Sequence, residues 1–321
     1  MREAVRKIIK TQKYLNAFLY VLYNLRLRSR LLFNVLSTDS GTTHSDLSIK
    51  ESTDYIENVF KDYLRVSGKS SFKGRVAELG PGDSAGVGLM FLAHGAEHVD
   101  LADRFYSKRS HAQQVKIYQA LGKAYPNVEK ILSQGDLSSE ERIPGITRFY
   151  GEDASGEKFF EGHKGYDVIV SRSVLEHVDD PEGVLRKMYE ALHPGGVLIH
   201  KVDLRDHEMF TPYTHSLKFL EISQWLYKLM TYGAGYPNRF LFNQYNNVLK
   251  DLDPACRFYV AGLHGVGTLP QEYPVDEIPT TLTEKAIEFV KKHRSKFAAP
   301  FKKIPAEDLM ISSFFFVCER R

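Results

Sequence analysis

The chain has 321 residues, 43% of them hydrophobic and 26% charged, which is typical of a globular protein with one large domain or two small ones. Its formal charge of +3 is uneven: residues 1–30 hold eight basic residues and one acid, and the remaining 35 basic and 39 acidic residues leave the rest of the chain at −4. The main body therefore has no overall attraction for nucleic acid, and we expect no nucleic-acid partner.

The chain shows no sign of export or of a membrane span. No apolar run is long enough to cross a bilayer, and no signal-peptide pattern is visible at the start. The two cysteines, Cys256 and Cys318, form neither a disulfide framework nor a metal-binding pattern. We therefore expect a cytoplasmic protein with reduced thiols.

Residues 1–70 are predicted to form an N-terminal helical arm, and residues 71–321 the main domain. In the arm, apolar side chains recur at helical spacing, and a second helix is predicted over residues 52–64. The basic arm helix would either lie on an anionic membrane surface, or pack on the domain or on a second subunit of a homodimer; we favour packing. The apolar positions are Leu15, Phe18, Leu19, Leu22 and Leu25.

From residue 75 onward, predicted strands and helices alternate, which indicates an α/β fold, a Rossmann-like parallel sheet with helices on both faces. A turn is predicted at residues 193–196, and an aromatic-rich segment at about 204–245 is interpreted as a lid inserted after strand five. The five strands are predicted at residues 75–79, 98–102, 146–150, 166–170 and 197–202. Two later strands, at residues 257–261 and 311–318, are predicted to form an antiparallel edge pair.

The most informative motif lies at the end of the first strand, where Glu78 is followed by Gly80, Pro81 and Gly82. The two glycines allow a ligand to approach the backbone closely. A carboxylate at this position repels the pyrophosphate of a dinucleotide, but it suits a cationic amino or sulfonium group. S-adenosylmethionine carries both of these groups.

Two further acids follow later strands. Asp103 ends the second strand, where a carboxylate accepts hydrogen bonds from both ribose hydroxyls of NAD or of S-adenosylmethionine. Asp153 follows the third strand and is placed to accept a hydrogen bond from an adenine amino group. The turn from Gly80 to Ala85 also satisfies the dinucleotide pattern, so an NAD-dependent enzyme remains an alternative at this point.

A set of motifs in a fixed order then resembles a known family. The Glu-x-Gly-x-Gly turn, Asp103, Leu175-Glu176-His177-Val178, Asp180-Pro181 and the stretch from Leu192 to Gly196 resemble class I S-adenosylmethionine-dependent methyltransferases, and within them the bacterial methyltransferase type 11 group. The resemblance is strong over residues 70–203 and implies a seven-stranded sheet with the cofactor across the ends of the first two strands.

The resemblance also implies roles for particular residues. Glu78, Gly80 and Gly82 would face the methionine part of the cofactor, with Asp103 on the ribose and Asp153 on the adenine. The remaining cofactor-binding candidates are Pro81 in the turn, Arg104 and Ala154 beside the two acids, and Ser171 and Arg172, which would lie beneath the methionine.

The implied reaction is an in-line displacement at the sulfonium methyl group, in which the protein mainly aligns the nucleophile. An alcohol acceptor must lose a proton as the new bond forms. His207 is the first candidate for the base, with Asp206 beside it to orient the ring, and His177 is the second. A histidine in such a turn also often makes only local hydrogen bonds.

We expect no metal ion at this site. Some methyltransferases of this fold hold a divalent ion with Glu-x-x-Glu-His, but this chain has Ser173 in place of the first glutamate. A weakened site of Glu176, His177 and His207 is the alternative. Arg205 and Arg239 are candidates for binding a carboxylate or phosphate of the substrate, unless they pair with neighbouring acids of the chain.

The sequence therefore predicts a methyltransferase that methylates an oxygen of a small polar metabolite, such as a sugar or glycan precursor, with S-adenosylmethionine as its cofactor. The alternatives are an NAD-dependent oxidoreductase and a non-catalytic cofactor-binding protein of the same fold. The fold class alone does not identify the acceptor.

Overall fold

The computed structural model describes residues 2–32, 36–38, 41–137, 142–233 and 235–321. These residues divide into two compact units. The arm unit comprises Met1–Asn34, Ser173–Glu182 and Lys201–Phe316, and the turn unit comprises Val35–Arg172, Gly183–His200 and Val317–Arg321. The predicted domain boundary at residue 70 stays a prediction.

The strands form one large sheet and one short pair. Eight strands lie in the order β5–β3–β2–β6–β7–β10–β8–β9, and β1 pairs with β4. The pairs β2–β3, β2–β6 and β3–β5 are parallel, and β8–β9 is antiparallel. The strands are β1 (Ser37–Thr38), β2 (Gly74–Leu79), β3 (Ala96–Asp103), β4 (Tyr106–Ser107), β5 (Ile146–Tyr150), β6 (Tyr166–Arg172), β7 (Leu192–Asp203), β8 (Arg257–Leu263), β9 (Gly267–Pro274) and β10 (Ile311–Glu319).

This arrangement confirms the predicted α/β class with a mostly parallel sheet, but the sheet has eight strands and not seven. The missed strand is β9, which contains Pro270 and ends at Pro274. Proline removes a ladder donor, so a segment with two prolines does not look like a strand in the sequence. β9 occupies the edge of the sheet, where proline is tolerated, and it extends the predicted pair of β8 and β10.

The predicted turn at residues 193–196 lies inside β7 instead of before it. The Gly195 amide donates to the Arg320 carbonyl oxygen at 2.6 Å, and the Arg320 amide donates to the Gly196 carbonyl oxygen at 2.9 Å. These bonds extend the ladder through the Pro-Gly-Gly stretch. The Pro-Gly-Gly stretch therefore does not end the strand, because its backbone forms hydrogen bonds with Arg320.

The helices of the described residues occur before, between and after the strands. The helix predicted at residues 52–64 begins earlier, because Ser48 and Glu51 form a reciprocal capping box at its start. The helices are α1 (Arg2–Thr11), α2 (Lys13–Leu32), α3 (Ile49–Ser67), α4 (Gly86–Ala93), α5 (His111–Ala124), α6 (Pro126–Leu132), α7 (Phe159–Gly162), α8 (Pro181–Ala191), α9 (Gln224–Thr231), α10 (Phe242–Leu252), α11 (Thr280–Arg294), α12 (Ala299–Lys302) and α13 (Ala306–Leu309).

The arm is helical as predicted, but its apolar stripe does not face the protein. In α2 the buried side chains are Asn16, Ala17 and Asn24, whereas Phe18 and Leu22 are exposed. α2 packs against α9 within the arm unit. Among the described helices, none combines the length and the apolar character that crossing a membrane requires. Residues 1, 33–35 and 39–40 of the predicted arm and residue 234 of the predicted lid lie outside the described residues.

Candidate functional site

Glu78 lies near the carboxyl end of β2 and is buried in the turn unit, with 6% of its surface exposed. Its Oε2 atom has no hydrogen-bond partner within the part of the chain that the structure describes. Burial raises the pKa of this carboxyl to about 8, and the positive charge of Arg148 opposes the shift. A buried carboxylate without a partner is costly, so this position favours a ligand that brings a positive charge or a hydrogen-bond donor.

The backbone of the turn after Glu78 requires its glycines. Gly80 and Gly82 have φ values of 71° and 65°, in the left-handed region that glycine adopts without a steric penalty. A Cβ at Gly82 would lie 2.7 Å from the Gly41 carbonyl oxygen. In this structure, Gly82 therefore allows the Gly41 loop of the same chain to approach the turn closely.

The loop at residues 41–45 is held against the turn by Asp83. The Asp83 amide donates to the Gly41 carbonyl oxygen at 3.0 Å. The buried Asp83 carboxylate accepts hydrogen bonds from the amides of His44 at 3.3 Å and Ser45 at 3.1 Å. The loop and the glycine turn are thus one hydrogen-bonded structure.

Asp103 ends β3 and lies close to the same turn. It accepts hydrogen bonds from the Phe105 amide at 2.9 Å and from the Gly82 amide. Burial raises the pKa of this carboxyl to about 6, against the effect of these bonds and of Arg148. The structure therefore brings Asp103 and the glycine turn together, as the sequence predicts for a ribose-binding acid.

Arg148 is a site residue that the sequence reasoning missed. The strand register aligns Glu78 with Leu101 and Leu101 with Arg148, so Arg148 lies two strands away from Glu78. Its Nη1 donates to the Tyr150 hydroxyl at 2.9 Å. The strand register brings Arg148 close enough to Glu78 and Asp103 to affect their pKa values. This register cannot be read from the sequence, in which Arg148 is an ordinary strand residue.

The other cofactor-binding candidates have mixed surroundings. The Ser171 hydroxyl lies 2.7 Å from Nδ1 of His200, and burial lowers the pKa of that histidine to about 3. Arg172 forms an ion pair with Asp62 of α3 at 2.8 Å. Arg104 pairs with Glu152 at 2.9 Å.

Asp153 and Ala154 are neighbours with opposite exposure. The Asp153 side chain is fully exposed and lies 3.9 Å from Nζ of Lys158, whereas Ala154 is buried. Pro81 in the turn is half-buried. The proposed contact of Asp153 with an adenine therefore stays a prediction.

Tyr63 of α3 is a second residue that the sequence reasoning missed. It is fully buried, and its hydroxyl has no hydrogen-bond partner among the residues that are described. Burial and the nearby charge of Glu78 raise its pKa well above the usual value. The Tyr63 hydroxyl and Oε2 of Glu78 are thus two buried polar atoms without a described partner, and the charge of Glu78 acts on Tyr63.

The arm unit contains a cluster of Glu176, His177 and His207, whose ligand atoms all lie within 4.8 Å of one another. Nε2 of His207 is 3.6 Å from Oε1 of Glu176, and the rings of His177 and His207 meet edge to face with centroids 4.6 Å apart. His207 has a φ of 44°, which is uncommon for a residue other than glycine. The sequence predicted both histidines, and the structure brings them together.

Burial shifts the pKa of two members of this cluster, His177 and Glu176, in opposite directions. Burial lowers the pKa of His177 to about 3, with a further contribution from His207. Burial raises the pKa of Glu176 well above its usual value, and the charge of Asp203 acts in the same direction. Oε1 of Glu176 accepts from the Asp203 amide at 3.2 Å, while Oε2 has no partner among the described residues.

Asp206 does not orient His207 in this structure. Its carboxylate accepts hydrogen bonds from the Phe210 amide at 2.8 Å, the Thr211 amide at 3.0 Å and the Thr211 hydroxyl at 2.7 Å. These bonds close the turn at residues 206–211, and none of them involves His207. The carboxylates near His207 are those of Glu176 and Asp203, which lies 3.9 Å away.

Arg205 pairs with Asp203, which is the alternative that the sequence left open. Its Nε donates to the two carboxylate oxygens at 2.8 and 3.0 Å, and Nη2 also contacts this carboxylate. Arg205 also lines a cavity of about 90 Å³, together with Ser216, His264 and Ser312. Arg205 therefore forms an ion pair with Asp203 and also lines a cavity.

Arg239 is built into the packing of the arm unit. Its Nη1 donates to the Ile222 carbonyl oxygen at 2.7 Å, and the guanidinium lies 4.0 Å from the centroid of the Tyr227 ring. Burial lowers the pKa of Arg239 to about 10. These contacts make Arg239 part of the packing, and its predicted contact with substrate stays a prediction.

The aromatic segment at residues 204–245 has a core of its own. Phe210, Phe219, Tyr227 and Tyr245 are buried, whereas Trp225 and Tyr232 are exposed. The buried rings therefore pack against protein and are not free to stack on a ligand.

Comparison with known proteins identifies the family. A family model described as a methyltransferase domain matches residues 53–245, which is more than half of the chain. Among proteins of curated function, none matches this sequence.

Solved structures show more distant likenesses. Phosphoethanolamine N-methyltransferase 2 of Haemonchus contortus is 15% identical with a TM-score of 0.42, over 82% of this chain and 52% of that one. An S-adenosylmethionine dependent methyltransferase of Mesorhizobium loti is 12% identical with a TM-score of 0.38, over 85% of this chain and 100% of that one. The chain thus spans about half the length of the Haemonchus protein, and likenesses this distant indicate no substrate.

The family match covers the glycine turn, both acids that follow the next two strands, and the Leu-Glu-His-Val stretch. It decides against the NAD-dependent alternative. The chain therefore belongs to the methyltransferase-domain family, which confirms the predicted resemblance to S-adenosylmethionine-dependent methyltransferases.

Proposed function

We propose that this enzyme transfers the methyl group of S-adenosylmethionine to an oxygen of a small polar acceptor, such as a sugar or glycan precursor. The observation that supports the cofactor assignment is the buried, unpartnered carboxyl of Glu78 at the end of β2. The amino group of the cofactor's methionine part is a cationic donor that would satisfy it. The Tyr63 hydroxyl also lacks a described partner, and we assign it to the same ligand.

The ribose, the adenine and the rest of the methionine part are assigned to residues at or after the ends of the neighbouring strands. We assign the ribose hydroxyls to Asp103, which would still have acceptor capacity beside its bonds to Phe105 and Gly82. Asp153 is assigned to the adenine amino group, and Ser171 to the methionine part. Arg172 would act through its ion pair with Asp62, by fixing α3 against β6.

We propose His207 as the base that accepts the proton of the acceptor hydroxyl, with Glu176 in place of Asp206 as the residue that positions it. The support is the 3.6 Å approach of His207 Nε2 to Glu176, together with the hydrogen bonds of Asp206 to Phe210 and Thr211 in its own turn. His177 is the second candidate for the base. Removing a proton is required for an alcohol acceptor, which is why the cluster favours O-methylation.

A divalent cation held by Glu176, His177 and His207 is the second candidate for the role of this cluster. One observation favours it: the three ligand atoms already lie within 4.8 Å of one another. A single carboxylate and two imidazoles leave the ion with little negative charge, so we rank the base first.

The experiment for the proposed function is a turnover assay with S-adenosylmethionine and a panel of acceptors. We expect release of S-adenosylhomocysteine with sugar or glycan-type hydroxyl acceptors and no turnover with NAD. Turnover with amine acceptors alone would overturn O-methylation and keep the methyltransferase. The aromatic segment at residues 204–245 is proposed as the acceptor's cover.

The arm has a separate role. We propose that it contacts a partner outside this chain, since its apolar side chains are exposed. The membrane surface and the homodimer that the sequence suggested are both contacts of this kind.

A further inference from the structure

The exposed apolar side chains of the arm follow one stripe of α2. Leu15, Phe18, Leu22 and Leu25 are 44%, 58%, 47% and 59% exposed, and they recur every three or four residues along the helix. In a helix this spacing places side chains on one face. A water-exposed helix does not normally carry such a stripe, since exposed apolar side chains forgo the free energy of burial.

The outward direction of this stripe is fixed by the opposite face of α2. Asn16 Nδ2 donates to the Met209 carbonyl oxygen at 2.7 Å, and Asn24 Nδ2 donates to the Leu229 carbonyl oxygen at 2.8 Å. Lys13 Nζ adds a bond to the Glu221 carbonyl oxygen at 2.9 Å. Polar side chains thus attach this face of α2 to the arm unit. The apolar stripe on the other face is exposed and is available to contact a partner outside the chain.

The two helices that contact α2, which are α1 and α9, also carry exposed apolar side chains. In α1, Val5 and Ile8 are 50% and 59% exposed. At and just after α9, which packs against α2, Trp225, Leu229 and Tyr232 are 67%, 52% and 46% exposed at positions i, i+4 and i+7. We call the exposed apolar side chains of these three segments the arm surface.

The charge around the arm surface selects its partner. Residues 1–30 carry eight basic residues and one acid, and Arg6, Lys7, Arg26 and Arg28 are exposed. A second copy of the chain would bring the same excess of positive charge to the contact, which opposes self-association. An anionic bilayer attracts basic side chains and accepts an amphipathic helix about 5–10 Å into its interface.

We propose that the arm surface binds an anionic lipid bilayer, with α2 lying in the plane of the interface. The apolar stripe enters the boundary between headgroups and acyl chains. Arg26 and Arg28 contact lipid phosphates. Trp225 and Tyr232 occupy the interface, where amphipathic rings are favoured. The inference does not depend on which acceptor the enzyme methylates.

The first test needs no variant, because Trp225 is the only tryptophan of the chain. The full-length protein is mixed with vesicles of phosphatidylcholine containing phosphatidylserine, or of phosphatidylcholine alone. We expect a blue shift of Trp225 emission and flotation of the protein with the anionic vesicles, both reversed at high salt. An unchanged emission spectrum and no flotation with anionic vesicles would overturn the proposal.

Variants then test the surface itself. Phe18→Ser with Leu22→Ser should lower binding to anionic vesicles by at least about tenfold, since two apolar side chains are lost from the interface. Arg26→Glu with Arg28→Glu should do the same, whereas the matched reversal Lys291→Glu with Lys292→Glu, on exposed residues of α11, should not. Circular dichroism and S-adenosylmethionine binding confirm that each variant is folded.

One further outcome would assign the surface to another partner. Light scattering without lipid is expected to give a monomer for the wild type. A dimer that the double serine variant converts to monomer would show that the arm surface binds a second copy, and it would contradict the membrane proposal. Equal vesicle binding by wild type and both arm variants would also contradict it.

Discussion

At the scale of single residues, Glu78 connects stability with function. Its carboxyl has a pKa of about 8 in place of the ordinary value of 4.5, so the folded protein holds a proton that the unfolded chain releases. Stability is therefore lost as pH rises from about 4.5 to about 8, by up to about 5 kcal/mol, and it stays reduced above that range. A ligand cation would offset this cost.

We predict that Glu78→Gln stabilises the protein without ligand in alkaline solution. Above pH 8 the free energy of unfolding should rise by about 2–5 kcal/mol, since a neutral amide replaces an ionised carboxyl, and below pH 4.5 the effect should vanish. Denaturant unfolding at several pH values measures this. Glu97→Gln, at an exposed position of β3, is the matched control and should show no such trend. A pH-independent difference for Glu78→Gln would contradict the assigned pKa.

The role of His207 is tested by kinetics. We predict that His207→Ala lowers kcat by about 10²–10⁴-fold and leaves the affinity for S-adenosylmethionine unchanged, because the base acts on the acceptor and not on the cofactor. His193→Ala, at an exposed histidine, is the control. Full activity of His207→Ala would refute the assignment. Loss of wild-type activity on chelation, restored by Mg²⁺ or Mn²⁺, would replace the base with a metal site.

The sequence identified those site residues whose role depends on a local pattern. Glu78, Gly82 and Asp103 lie at strand ends beside a turn, and the structure brings them together. Arg148 and Tyr63 could not be found in this way, because strand register and helix packing bring them near Glu78. Asp206 was predicted to orient His207 because the two residues are neighbours in the sequence. Its carboxylate instead accepts hydrogen bonds from Phe210 and Thr211, which follow it in the chain.

At the scale of elements, the glycine turn depends on backbone conformation as well as on space. We predict that Gly82→Ala destabilises the protein by more than Gly68→Ala, because both have φ near 70° but only Gly82 lacks room for a Cβ. At Gly68 a Cβ would meet no described atom within 4 Å, so that variant reports the conformational cost of about 1–2 kcal/mol alone.

The comparison is made by thermal and denaturant unfolding. In Gly82→Ala the Cβ and the Gly41 carbonyl oxygen must move apart, so proteolysis near residues 41–45 should also become faster. Equal destabilisation by the two substitutions would show that the contact with Gly41 is not important for the turn.

The arm shows what periodicity alone can indicate about an element. The spacing of its leucines correctly predicted a helix, but it did not reveal which way the apolar face points. That direction depends on partners more than 190 residues away, such as the Met209 carbonyl oxygen that binds Asn16. Strand β9 was missed for a similar reason, since only its place at the sheet edge makes its prolines acceptable.

At the scale of the whole molecule, the order of strands and motifs predicted the family, which the match to a methyltransferase domain confirms. The eight-stranded sheet places β2 at an inner position, between β3 and β6. The strand ends that carry Glu78, Asp103 and Ser171 therefore belong to three neighbouring strands of one parallel set. The acceptor was not predictable to the same degree, because it depends on side chains outside the shared motifs.

Calorimetric titration with S-adenosylmethionine tests the central claim most directly. The wild type should bind it with proton release below pH 8, since the carboxyl of Glu78 must ionise to hold the cation, and affinity should rise with pH up to that value. Glu78→Gln should bind at least about tenfold more weakly, and NAD should not bind. Equal affinity of wild type and Glu78→Gln, or binding of NAD without S-adenosylmethionine, would contradict the account.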